Sequence, residues 1–128
     1  MRKLGRKKDN RELMVRNLVT SLVLYESIQT TKAKAKVLKS EFDKIMTRAK
    51  KNDLPAKRFV AGYMLDKNAY KKTFEVLVPR FKNRNSGFTR TLSISSRLGD
   101  NAEMMLIEMT DKIEKKPSVE KKETDGKK

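Results

Sequence analysis

Apolar positions change their spacing twice along the chain, and each change marks a boundary between elements. Leu13, Met14, Leu18, Val19, Leu22 and Val23 recur at helical steps, which predicts a first helix over about Asn10 to Leu24. Asp9 and Glu12 stand three apart at its start, the spacing of a capping box. The β-branched and aromatic content of "YESIQT", Tyr25 to Thr30, then predicts a short strand. The most regular pattern follows: Leu38, Phe42, Ile45, Met46 and Ala49 fall at steps of 4, 3, 1 and 3. This single apolar stripe predicts a second helix over about Lys32 to Lys50, with Thr30 or Thr31 as its cap.

Asp53 as a cap and Pro55 in the first turn open a third, shorter helix carrying Phe59, Val60, Tyr63 and Met64, in which Gly62 is the weak point. Tyr70, Phe74, Leu77 and Val78 predict a fourth from about Asn68 to Val78, ended by Pro79. Beyond it the period drops to two. Thr89 to Ser95 alternate, Leu98 to Asn101 supply a turn, and Met104 to Met109 return as an antiparallel partner, which the strand near Ser27 can join. The expected fold is therefore α+β: about four helices packed on one face of a small, mostly antiparallel three-stranded sheet. Residues 1–110 are expected to form one domain that includes a basic N-terminal arm over residues 1–9. The charged stretch over residues 111–128 is almost devoid of apolar residues and is expected to be a disordered tail.

Charge narrows the partners. Lys and Arg number 32 against 16 acids, a formal charge of +16, and a compact chain with that surplus repels itself unless a polyanion balances it. The tail holds seven cations and five acids, so its net charge is only +2 and the remaining +14 lies in residues 1–110. No apolar run reaches the roughly 18 residues of a spanning helix, and the start of the chain has no signal-peptide core, so a cytosolic protein that does not engage a membrane is expected.

Catalysis has little to stand on. The sequence contains no histidine and no cysteine, which removes the commonest general base, thiolate chemistry and most zinc sites together. The eleven acids before the tail are scattered: Glu41 and Asp43 point from different faces of one helix, and Glu26, Asp53 and Asp66 read as caps or surface groups. No Gly-rich phosphate-cradling loop is present. No catalytic residue, metal, cofactor or small-molecule substrate is expected.

The binding signal concentrates in "PRFKNRNSGFTR", Pro79 to Arg90, where four cations occur without one carboxylate. Arg80, Lys82, Arg84 and Arg90 are read as phosphate-facing donors with no carboxylate to pair them. On that reading, replacing Arg80, Arg84 and Arg90 together leaves melting nearly unchanged. Gly87 supplies a turn, Phe88 a flat face for a base, and Phe81 an anchor to the core. The arm adds Arg2, Lys3, Arg6 and Lys7, and is expected to be mobile until bound; the second helix starts with Lys32, Lys34, Lys36 and Lys39. Cations spread over an arm, a helix start and a loop suit an irregular folded RNA better than a straight duplex. A general nucleic-acid compactor is the competing reading, and an RNA-modifying enzyme is disfavoured by the missing bases.

Five stretches, "RKLGR", "RNLVTSL", "TTKAKAK", "PRFKNRNSGFTR" and "GDNAEMMLIEM", resemble in order and spacing the family of bacterial large-subunit ribosomal proteins numbered seventeen, over residues 2 to about 111. The resemblance implies a structural protein of the large ribosomal subunit that binds its long ribosomal RNA near the nascent-chain tunnel exit, among neighbouring ribosomal proteins. It implies RNA-facing roles for Arg2, Lys3, Arg6, Arg11, Arg16, Thr31, Lys32, Lys34, Arg80, Arg84, Thr89 and Arg90. The chain departs from the family pattern at Asn10 and Tyr25, where histidines are frequent, and at Ser86 and Phe88, where Gly and Tyr are usual.

Overall fold

A computed structural model describes residues 2–111, and the charged tail expected after them lies outside the described residues. In chain order the elements are helix α1 (Lys8–Tyr25), strand β1 (Ser27–Thr31), helix α2 (Lys32–Ala49) and helix α3 (Leu54–Tyr63). Helix α4 follows as an α-helical start (Lys67–Lys72), a widened π-helical turn (Thr73–Leu77) and a last α-turn (Val78–Arg80). Strands β2 (Thr89–Ser93) and β3 (Met104–Met109) complete the described fold. The α+β class is as the hydrophobic pattern predicts.

Strand β3 is central: the sheet order is β1-β3-β2 and both pairings are antiparallel. Ile28 and Thr91 flank Ile107, while Ser27 and Arg90 flank Glu108, so the register assigns these two rows to opposite faces. Ile107 and Met109 are fully buried on one face, beneath α2. Helix α2 supplies Leu38, Phe42, Ile45, Met46 and Ala49 to a core that also takes Val15, Val19 and Leu22 from α1, Val60 from α3 and Leu77 from α4. Its predicted stripe is the buried stripe.

Local signals explain most boundaries. Asp53 Oδ1 accepts the Ala56 N–H at 2.8 Å and Asp66 Oδ1 the Asn68 N–H at 2.7 Å, so both acids cap the helices that follow them. The expected capping box at Asp9 and Glu12 does not form: Lys7 takes the cap position, and Asp9 lies inside the first turn, where its charge still faces the positive helix end. Thr31 occupies the cap position of α2 without a side-chain bond, because strand pairing already directs this segment and the Lys32 N–H donates to the Glu103 carbonyl at 3.0 Å. Strand β2 ends at Ser93, two residues short of expectation, although the Ile94 N–H still reaches the Met104 carbonyl at 3.1 Å.

Pro79 does not stop α4. It sits in the last α-turn, directly after the π-helical turn in which the Val78 N–H bonds five residues back to Thr73. A proline ring crowds the carbonyl four residues earlier, and a one-residue expansion of the preceding turn relieves that clash. Nor does the arm hang free. Its turn, with the Arg6 N–H on the Lys3 carbonyl at 3.2 Å, lays Leu4 against the core cluster. Among the described residues no helix is long and apolar enough to cross a membrane.

Phe42→Ala is expected to cost about 3–5 kcal/mol of unfolding free energy, since it empties the fully buried centre of α2, whereas Asp53→Ala should cost about 1 kcal/mol. Chemical denaturation of the two variants checks the ratio.

Candidate nucleic-acid interface

Three of the four predicted loop cations are already held by carboxylates, contrary to the expectation that none would pair. Arg80 forms a fork on Glu26, Nη1 to Oε2 at 2.9 Å and Nη2 to Oε1 at 3.2 Å, and its side chain is only 10 % exposed. Arg84 forms a second fork on Asp111 at 3.2 and 3.1 Å. Arg90 reaches Glu108 through Nε, directly across the β2–β3 register. The acids lie 54, 27 and 18 residues away in sequence, so a local reading of the loop could not see them.

Glu26 is the hub of the first cluster. It ends α1 in a left-handed conformation, φ 62°, and also receives Lys72 Nζ at 3.0 Å. Hydrogen bonding from Arg80, and then from Lys72, holds its carboxyl below the ordinary range despite partial burial. Its carbonyl accepts the Met109 N–H at 3.0 Å, so one residue ties the end of α1 to the end of β3 and to α4.

The loop is stapled from below as well. The Phe88 N–H donates to Asp43 Oδ1 at 3.3 Å, the Thr110 N–H to the Phe88 carbonyl at 3.0 Å, and Lys50 Nζ to the Arg84 carbonyl. Gly87 turns the chain with φ 67°. Phe88 itself is fully buried, edge-on to Phe81 at 5.3 Å, so it presents no stacking face: the ring anchors the loop as Phe81 does. Thr89 is buried too, with Oγ1 unpartnered.

What remains open are Lys82, the arm cations Arg2, Lys3, Arg6 and Lys7, and Arg90, whose side chain stays 58 % exposed over Glu108. Arg11 and Arg16 are half-buried and turned inward: Arg11 Nη1 reaches the Arg6 carbonyl, and Arg16 bonds the Gly62 and Tyr63 carbonyls at the end of α3. At the start of α2, Thr31 and Lys34 are half-exposed, and Lys32 is exposed but paired with Glu103 at 2.6 Å. Apart from Lys32 and Lys34 at the start of α2, the predicted residues divide into an open set on the arm and loop and a structural set beneath it.

One basic surface extends further than the lysines read at the start of α2. Lys36, Ser40, Lys44 and Thr47 fall at steps of 4, 4 and 3 on the side of α2 opposite the core, with Lys51 just past its end. The same helical spacing that identifies the apolar stripe would have found it. Among the described residues no group of His, Cys, Asp and Glu could hold a metal ion.

The family model described as "Ribosomal protein L17" matches residues 14–110. The chain is 44 % identical over 108 residues to the large ribosomal subunit protein bL17 of Caldanaerobacter subterraneus, covering 84 % of this chain and 96 % of that protein. It is 44 % identical over 110 residues to bL17 of Pelobacter propionicus, covering 86 % and 87 %. Against bL17 of Geobacter metallireducens the identity is 44 % over 86 % of this chain and 62 % of the relative.

The paired arginines reverse the stability expectation for the loop. Replacing Arg80, Arg84 and Arg90 together should lower melting, with Arg80→Ala alone removing about 1.5–3 kcal/mol of charge-assisted bonding. Because the folded carboxyl of Glu26 lies below its ordinary value of 4.5, its contribution is complete above that pH and fades as pH falls through the depressed value. Glu26→Gln should therefore be less stable than the wild type at pH 7, and the gap should close on acidification. A constant gap between the two melting curves from pH 7 to pH 3 would remove the carboxylate from this role.

Proposed function

From the ribosomal protein L17 family, to which this chain belongs, we propose that its open cations hold folded large-subunit ribosomal RNA. The protein is a structural constituent of the large ribosomal subunit, not an enzyme, and its place of work is the ribosome. What supports the RNA contact is a division of labour among charges. The carboxylates Glu26, Asp111 and Glu108 brace the body by pairing Arg80, Arg84 and Arg90, while Arg2, Lys3, Arg6, Lys7 and Lys82 meet no carboxylate among the described residues.

In this reading the arm and Lys82 supply the phosphate contacts, joined by the outer side of Arg90, and the Arg80 and Arg84 forks set the loop's shape. Arg11, Arg16, Thr31, Phe88 and Thr89 act by positioning the backbone from which those cations project; half-exposed Lys34 adds a phosphate contact, and Lys32 shares its charge between Glu103 and RNA. Residues 1–110 act as one RNA-binding unit, set near the nascent-chain tunnel exit and bordered by other ribosomal proteins. The family resemblance supports that location.

Replacing Arg2, Lys3, Arg6 and Lys7 by Ala should leave unfolding within about 0.5 kcal/mol, as these side chains are exposed. It should make the salt dependence of binding to transcribed large-subunit rRNA shallower by about 0.7 for each cation withdrawn from a phosphate. Wild-type protein that binds duplex DNA as tightly as this rRNA would instead establish a general polyanion binder.

A further inference from the structure

Three adjoining hollows along the solvent side of α2 together outline a shallow trough. Near its start a hollow of about 450 Å³ is bordered by Arg2, Thr31, Lys32 and Lys36. The next, of about 490 Å³, shares Arg2 and Lys36 with it and adds Ser40 and Lys44. The third, of about 620 Å³, shares Ser40 and Lys44 and continues through Thr47 and Arg48 to Lys51. Arg2 therefore forms one wall at the first half of the trough, and the helix itself forms the floor.

We infer that this trough seats the phosphate backbone of one RNA strand, as a contact that is separate from the loop and shares Arg2 with the arm. The inference rests on the RNA-binding function proposed above. Three observations favour this occupant. Lys36, Ser40 and Lys44 lie within one narrow arc of the helix, and at ~1.5 Å rise per residue they place a polar donor about every 6 Å, a step comparable to that between successive phosphates. Among the described residues Lys36, Arg48 and Lys51 have no carboxylate within ion-pair distance, and the one carboxylate in the third hollow, Asp43, is engaged inward by the Phe88 N–H.

The third observation is an energetic conflict. Helix α2 has no acid in its first turn, and Lys32 and Lys36 stand four apart at the end where the dipole opposes cations; Lys44 and Arg48 repeat the like-charge spacing. Glu103 and Glu41 at the trough's edge pair with one member of each, Lys32 and Lys44, while Lys36 meets only the more distant field of Glu103 and Arg48 only the face of the Phe59 ring, 4.1 Å from its centroid. A polyanion lying in the trough offsets all four. A protein partner fits less well, because lysine is depleted at protein interfaces and the trough floor has no exposed apolar anchor.

The test compares full-length wild type with a Lys36→Ala, Lys44→Ala, Lys51→Ala variant, titrating transcribed large-subunit rRNA at several salt concentrations. The variant should show a slope of log K against log salt shallower by about 2, that is ~0.7 for each of three contacts, with melting unchanged. Lysine acetylation of the wild type, with and without the same rRNA, needs no variant: Lys36, Lys44 and Lys51 should be protected and exposed Lys71 on α4 should not. An unchanged slope, or equal labelling of the three lysines in both states, would overturn the trough while leaving the proposed function standing. Protection that requires a second ribosomal protein rather than rRNA would overturn it as well. Failure of the wild type to prefer this rRNA over duplex DNA would instead bring down the functional reading on which the trough depends.

Discussion

Burial of one side of α2 is the constraint from which the rest of the structure follows. Leu38, Phe42, Ile45, Met46 and Ala49 are buried together, and α2 contacts α1, α3 and all three strands through that arc. A helix so committed has one remaining side for water or a ligand. Because the chain is strongly cationic and the apolar arc of α2 has no place for a lysine head group, that outer side is where lysines accumulate. The fold and the polarity of its surface are two consequences of the same periodicity.

With acids outnumbered two to one, where each carboxylate goes decides which cations are left for a partner. Glu26, Glu108 and Asp111 pair arginines from distant elements, Asp53 and Asp66 cap helices, and Asp43 holds the loop through a backbone N–H. Burial pushes the Asp43 carboxyl up, an effect opposed by that N–H. At the hairpin turn, Arg97 and the Ala102 N–H lower the Asp100 carboxyl to about 2, which keeps it charged and the turn closed. Among the described residues most acids act as fasteners, and apart from exposed Asp9, Glu12 and Glu75 the charge left with neither an ion pair nor such a backbone bond is positive.

What could be read from the sequence was local or periodic. Helix α2 and strand β3 appear within a residue of expectation because their patterns are long or cleanly bounded, and the Asp53 cap was visible in its spacing to Pro55. What could not be read was pairing across the fold. The Arg80 fork depends on α1 and α4 meeting, which no window around residue 80 reports. Phe88 looked available because it neighbours Gly87 and four cations, yet the same turn that frees the backbone drives its ring into Phe81. The π-helical turn was hidden because proline ordinarily ends a helix, and here the strain is spread into the turn before it.

Glu26 occupies a backbone conformation that glycine adopts at less cost, and by local geometry glycine would be the better residue there. The side chain overrules the backbone, since its carboxylate receives both Arg80 and Lys72. Drift at positions 26, 72 and 80 is therefore coupled. A lineage that relaxed the turn to glycine would leave Lys72 and Arg80 with only the Leu24 and Asp111 carbonyls as acceptors, without a carboxylate between them. Residues 26, 72 and 80 should be inherited as a unit, a signature that a survey of related chains could read without any structure in hand.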